Sequence, residues 1–174
     1  MGKGSGTVAD WKSDKRWSDH FLPEIKRILG EHLLSEPPVE EDAERNTDLM
    51  VLRLDAIRIG CRVRKYGYLK EYGHQFTLRY GRPSHVKTEL TKIIEGWGDY
   101  FFYGFSDENE KTLAQWFLGD LKCFRIYFNR YITENKGNLP GERNMNRDNS
   151  SSFIAFNYAH IPGFVIASSE AVNT

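Results

Sequence analysis

Residues 57–64 read Ile57-Arg58-Ile59-Gly60-Cys61-Arg62-Val63-Arg64, and their strict alternation decides the class of fold. Successive side chains of a strand point to opposite faces. Ile57, Ile59, Cys61 and Val63 therefore share one side, and Arg58, Gly60, Arg62 and Arg64 the other. A helix would scatter the arginines around its circumference, so the segment is expected as a strand.

Working outward, Asp48–Leu54 is short and apolar and is expected as a strand, joined to the first by a hairpin at Asp55-Ala56. Gln75–Tyr80 sets Phe76 and Leu78 against Thr77 and Arg79 and predicts a further strand. The turn-like, aromatic Tyr66–Gly73 between them suits a short helix. Residues 86–95 predict a helix stopped by Gly96, with Glu89 and Ile93 four apart, as are Leu90 and Ile94, so that polar and apolar faces separate. Tyr100–Phe105 is bulky and uncharged, as a buried strand is. Ser106-Asp107 is expected to cap a short helix over 107–113, followed by a strand over 114–118 and a helix over 121–134. One continuous helix over 108–134 is the alternative, because Gly119 is a mild breaker. Residues 136–152 are polar and turn-rich and are expected as a loop, with short apolar runs at 153–158 and 164–167. Towards the N-terminus, Trp17, Phe21, Ile25 and Leu33 recur at helical spacing, with Pro23 forcing a restart or a kink. Residues 35–46 read as an acidic loop. The expectation is a mixed α/β fold, a single domain over 13–168 with a mixed sheet flanked by helices, and flexible tails at 1–12 and 169–174.

The 174 residues carry 24 basic and 24 acidic side chains, for zero net charge. That sum hides segregation. Residues 36–48 total −5, 49–92 total +7, 95–120 total −5, and 121–147 total +4. Such blocks either pair with each other on folding or leave a basic face for a phosphate-bearing partner. No run is long and apolar enough to span a membrane. Cys61 and Cys123 stand in no paired motif and read as buried free thiols of a cytoplasmic protein.

Arg58, Arg62 and Arg64 on one strand and Arg79 on another form the densest cationic constellation, with Arg82 and Lys87 close behind in sequence. On a half-exposed sheet they need no function. On a binding face they would grip phosphates bidentately, and Tyr66, Tyr68, Tyr72, Phe76 and Tyr80 nearby would suit base stacking.

The order helix, loop, Thr47-Asp48 opening a strand, and a next strand ending in charged residues resembles the core of the PD-(D/E)xK nuclease superfamily, the restriction-endonuclease-like fold, over residues 18–105. In that family an Asp opens the second strand, the third carries acid-x-Lys, and a helix supplies a Glu. The resemblance puts Asp48 at the metal-binding position, Glu24 as the helix carboxylate, and Arg62-Val63-Arg64 where acid-x-Lys belongs. It implies Mg²⁺-dependent DNA phosphodiester hydrolysis, with Asp48 joined by Glu24 or Glu89 at the metal and Arg64 or Lys65 stabilising developing charge. The chain departs from the pattern at Arg62, which cannot ligate a metal, and at Arg64, which cannot readily lose a proton. The alternative is a non-catalytic module that binds nucleic acid or protein through the arginine face.

Gly2–Thr7 looks superficially like a phosphate loop but lacks the preceding strand and the Lys-Ser/Thr order. His20 and Glu24 stand four apart without a third ligand. Gly96-Trp97-Gly98-Asp99 is expected to shape the approach to the following strand.

Overall fold

The computed structural model describes residues 16–33, 57–81, 86–146 and 151–169. The chain divides into two compact units, Met1–Leu54 and Asp55–Thr174. The strand expected at 48–54, its hairpin at Asp55-Ala56, the acidic loop at 35–46 and Arg82 lie outside the described residues, and so does Asp48.

In the first unit, residues 16–19 form a helical turn and α1 spans Leu22–Leu33. The two meet at a break over His20 and Phe21, so the restart expected near Phe21 is the outcome. Pro23 sits in the first turn of α1, where its missing N–H has no intrahelical acceptor to lose. Phe21, Ile25 and Ile28 form the buried stripe, and Trp17 meets Phe21 edge-on with ring centroids 5.2 Å apart.

The second unit is mixed α/β, as the alternation predicts. Its elements are β1 (Ile59–Arg64), a 3-10 turn (Tyr66–Tyr68), α2 (Leu69–Tyr72), β2 (Gln75–Gly81), α3 (Glu89–Ile94), β3 (Tyr100–Ser106), β4 (Leu113–Asp120), α4 (Leu121–Glu134), β5 (Glu142–Met145), β6 (Ser152–Asn157) and β7 (Val165–Ser168). The strands fall into two sheets. The first, in the order β1-β3-β4-β7, is mixed, since β1 runs parallel to β3 and the other pairings are antiparallel. The second, β2-β6-β5, is antiparallel throughout.

Phe76 holds the centre of the core. Its ring lies within 5.0–6.3 Å of those of Phe101, Tyr103, Phe117, Phe124, Phe156 and Phe164. Leu78 and Ile154 from the second sheet, Leu90 and Ile93 from α3, and Leu121 and Phe128 from α4 complete the same buried cluster. These β-strand residues share the inward parity of their strands, while Phe102 and Leu118, paired on the opposite parity of the first sheet, are buried as well.

Two expectations need correction. Residues 107–112 form the turn of the β3–β4 hairpin, not a helix. Asp107 Oδ1 accepts from the N–H groups of Lys111 (2.7 Å) and Thr112 (3.3 Å), and Oδ2 accepts from the Thr112 hydroxyl (3.2 Å). The carboxylate that could have capped a helix instead closes a turn, a competition open to any Asp. The second correction is β5, which lies inside the stretch expected as a loop and pairs with β6.

The long-helix alternative over 108–134 is settled by Asp120, the last residue of β4 and the N-cap of α4. Its Oδ1 accepts from Lys122 N (2.6 Å) and Cys123 N (3.3 Å). One residue earlier, a Cβ on Gly119 would stand 2.4 Å from Phe164 Cζ. This glycine serves the close approach of a ring, not a helix break.

Phe76→Ala is expected to cost about 3–5 kcal/mol, because six rigid rings cannot collapse into the vacated space; denaturant titration reads the loss directly. The N–H donors of Lys111 and Thr112 lower the Asp107 carboxyl below its ordinary value. A lowered folded-state pKa stabilises the turn above the unfolded carboxyl pKa, and that contribution disappears as pH falls through the folded value. The protection of the Lys111 and Thr112 amides, relative to their intrinsic exchange rates, is therefore expected to fall as Asp107 protonates on acidification, and to lose this dependence in Asp107→Asn.

Candidate functional site

The arginine side of β1 is not a solvated face. Residues directly opposite each other in a sheet share a side, and the register sets Arg62 beside Tyr103 and Arg64 beside Phe105. Both arginines therefore point to the side of the first sheet that carries the core, at its β1 edge. The opposite parity carries Val63, which is buried, and Cys61, which is exposed. Both cysteines are free, with Cys123 half-buried, so neither is the fully buried thiol expected.

Arg62 is consumed by structure. Its Nη1 donates to the carbonyl of Thr77 (2.7 Å), and its Nη2 to Glu89 Oε2 (2.6 Å). The same Glu89 oxygen accepts the backbone N–H of Arg79 at 3.1 Å. Thr77 and Arg79 belong to β2, an edge strand of the second sheet. Guanidinium and carboxylate together satisfy there what a neighbouring strand would otherwise satisfy. The two side chains are 27% and 29% exposed, so the pair is partly shielded from solvent.

Arg64 has a different environment. Its Nη1 donates to Thr77 Oγ1 (3.1 Å), and its guanidinium carbon lies 4.4 Å from the centroid of the Tyr68 ring. Among the described residues it has no carboxylate partner, and most of its donors remain available. The Tyr68 ring lies 6.3 Å from that of Tyr72. Tyr66, Tyr68 and Tyr72 are 43%, 40% and 42% exposed.

The segment that bears these rings is fixed at both ends. Tyr66 N donates to Ser106 Oγ (3.0 Å) on β3. Gly73 O accepts from Gln115 Nε2 (2.9 Å) and the Tyr158 hydroxyl (3.4 Å). Glu71 beside the Tyr72 hydroxyl raises its pKa and keeps the phenol neutral. An exposed tyrosine surface with a stacked guanidinium thus stands at the C-terminal ends of the parallel pair β1 and β3.

The other expected site residues are dispersed. Arg58 is exposed at the far end of β1, its N–H bound by Asp99 Oδ2 (2.8 Å). Arg79 shares the outer side of the second sheet with Thr77 and stands opposite Phe153. Lys65 pairs with Glu110 (3.4 Å) and Lys87 with Glu95 (2.7 Å). Glu24 lies on α1 in the first unit, and Glu89 is held by Arg62. Among the described residues no group of three or more His, Cys, Asp and Glu side chains could hold a metal ion, and no helix is long and apolar enough to cross a membrane. Of the aromatic residues expected near the arginines, Phe76 is core, and Tyr80 lies 5.0 Å beneath the Arg143 guanidinium.

A groove of about 420 Å³ opens along α4 beside Cys123, Tyr127, Tyr131 and His160. Its arginine, Arg130, is already bound by Glu134 at 2.8 Å. Comparison of the chain with protein-family models, curated proteins and solved structures finds no match among them.

The Arg62–Glu89 pair gives a direct test of the edge geometry. Arg62→Ala or Glu89→Ala each strands a polar partner and is expected to cost about 1–3 kcal/mol. The double variant is expected to cost less than the sum of the two, since it removes both ends of one interaction. Additive losses in urea melts would show that the two side chains act separately.

Proposed function

We propose that this chain is a nucleic-acid-binding module that takes single-stranded DNA or RNA on the Arg64–Tyr68–Tyr72 surface. The observation that carries the reading is the Arg64 guanidinium, stacked on Tyr68 with no carboxylate partner among the described residues. A cation held on an aromatic ring and left with free donors is suited to a phosphate, while neighbouring exposed rings offer faces to unpaired bases. Zero net charge favours such a local mode over tracking along a duplex, where affinity comes from neutralising many phosphates.

The nuclease resemblance adds hydrolysis to this binding only if Asp48 contributes to a Mg²⁺ site. Arg62, at the position where acid-x-Lys supplies its acid, is engaged with Glu89 in the structural seam and is no metal ligand.

The test is fluorescence anisotropy with a labelled single strand over a series of salt concentrations. Tyr68→Ala is expected to weaken binding by about 1–3 kcal/mol. Arg64→Ala is expected to weaken it and to reduce the slope against log salt by about 1, as the loss of one phosphate contact does. Arg130→Ala, on the far helix, should leave binding as it was. Equal affinity in wild type, Tyr68→Ala and Arg64→Ala sinks the proposal. Incubation of supercoiled DNA with Mg²⁺ decides the chemistry: nicking abolished by Asp48→Ala establishes a nuclease, and intact DNA leaves a binding module.

A further inference from the structure

Trp97 is 64% exposed, the highest value among the large hydrophobic side chains of the described residues. The backbone that carries this exposed indole is held on both sides by hydrogen bonds. Gly96 and Gly98 on either side adopt φ of +97° and +82°, a region that other residues rarely enter. Gly96 N donates to Ile93 O and Trp97 N to Lys92 O, each at 3.0 Å, which ties the turn to the end of α3. Arg125 on α4 reaches across to donate to Gly98 O (3.2 Å) and Ile93 O (3.5 Å). The next residue, Asp99, exchanges hydrogen bonds with the backbone of Arg58, accepting at Oδ2 and donating from its own N, both at 2.8 Å.

The position of this turn relates it to the tyrosine surface. Trp97 immediately precedes the start of β3 and stands beside the start of β1, whereas Arg64 and Tyr68 stand at their C-terminal ends. The 6 residues of β1 separate the two sites by about 20 Å. Between them Gly60 and Cys61 are exposed and place little bulk along the edge of the sheet. The charges match an anionic chain. Arg58 and Lys92 have no carboxylate partner among the described residues, while Glu95 is engaged by Lys87 (2.7 Å) and Asp99 by the Arg58 N–H.

We infer that Trp97 is a second base-stacking site for the same single strand, which runs along β1 from the Tyr68–Arg64 surface to the Gly96–Gly98 turn. This rests on the proposed binding function and sets the length of strand the protein engages. A strand must be long enough to reach both ends before Trp97 contributes, and site sizes of about 4 nucleotides and more are usual for such grooves.

The experiment uses the full chain and labelled oligothymidylates graded from about 3 to about 12 nucleotides. Wild-type affinity is expected to rise about ten-fold over the length at which the strand first spans β1, above the gradual gain from added length. Trp97→Ala should abolish that step while keeping wild-type affinity for the shortest oligomer, and Trp97→Phe should retain the step. Tyr68→Ala should weaken every length. A step that persists in Trp97→Ala overturns the inference and leaves the tyrosine surface standing. Failure of the wild type to bind any length overturns both, so the two failures are distinguishable.

Discussion

An edge strand cannot leave its outward N–H and C=O groups in a half-buried seam without partners, and β2 is such a strand. The structure meets this constraint with side chains instead of backbone. Arg62 from β1 supplies the donor for Thr77 O, and Glu89 from α3 supplies the acceptor for Arg79 N, with the two closing on each other at 2.6 Å. Two elements from different parts of the chain, β1 and α3, are thereby locked to the β2 edge. The two sheets share a core, but this seam fixes where their edges lie. It also divides the work between arginines two residues apart: Arg62 is spent on the seam, and Arg64 beside it meets only a hydroxyl and a ring.

The aromatic residues separate along the same line. Phenylalanines fill the interior, where a ring without a polar handle leaves nothing unsatisfied. The tyrosines of the 66–72 segment remain at the surface, and Tyr103 is the instructive exception. It is 2% exposed and directs its hydroxyl to Thr77 Oγ1 at 3.3 Å. The buried phenol thus joins the polar seam instead of opposing it, and Thr77 serves Arg62, Arg64 and Tyr103 together.

Much of this was legible in the sequence, and its gaps have physical causes. Alternation over 57–64 and 75–80 located β1 and β2, since period-two patterning specifies which residues share a face. It does not specify the partner strand. β2 pairs with β6, far along the chain, so one expected sheet became two. Nor does alternation say which face is inward: the arginine side of β1 faces the core side because Glu89 and the β2 edge await it there, a long-range fact. Asp107 misled because the same carboxylate can cap a helix or close a turn. β5 was missed because Glu142–Met145 has no apolar alternation; its pairing is set by β6. The chemistry of Glu89 is legible in the sequence, whereas its partner Arg62 is set only by the fold. Trp97 carried a readable signal in its flanking glycines, although its exposure was not readable.

The charge blocks have a mixed outcome that bears on what the protein can bind. Lys65 and Lys87, from the +7 stretch, pair with Glu110 and Glu95 of the acidic stretch that follows, so part of the positive charge is indeed neutralised across the surface. Arg58, Arg64, Lys70 and Lys92 of the same stretch have no such partner among the described residues. Two of these stand at opposite ends of β1, each near an exposed aromatic side chain. A duplex-tracking protein spreads cations along a groove and depends on their number. On the proposed reading, Arg64 on the Tyr68 ring and Arg58 near Trp97 would draw affinity from stacking as much as from charge. Such a balance would, on that reading, favour unpaired bases over a duplex, because only unpaired bases offer their faces.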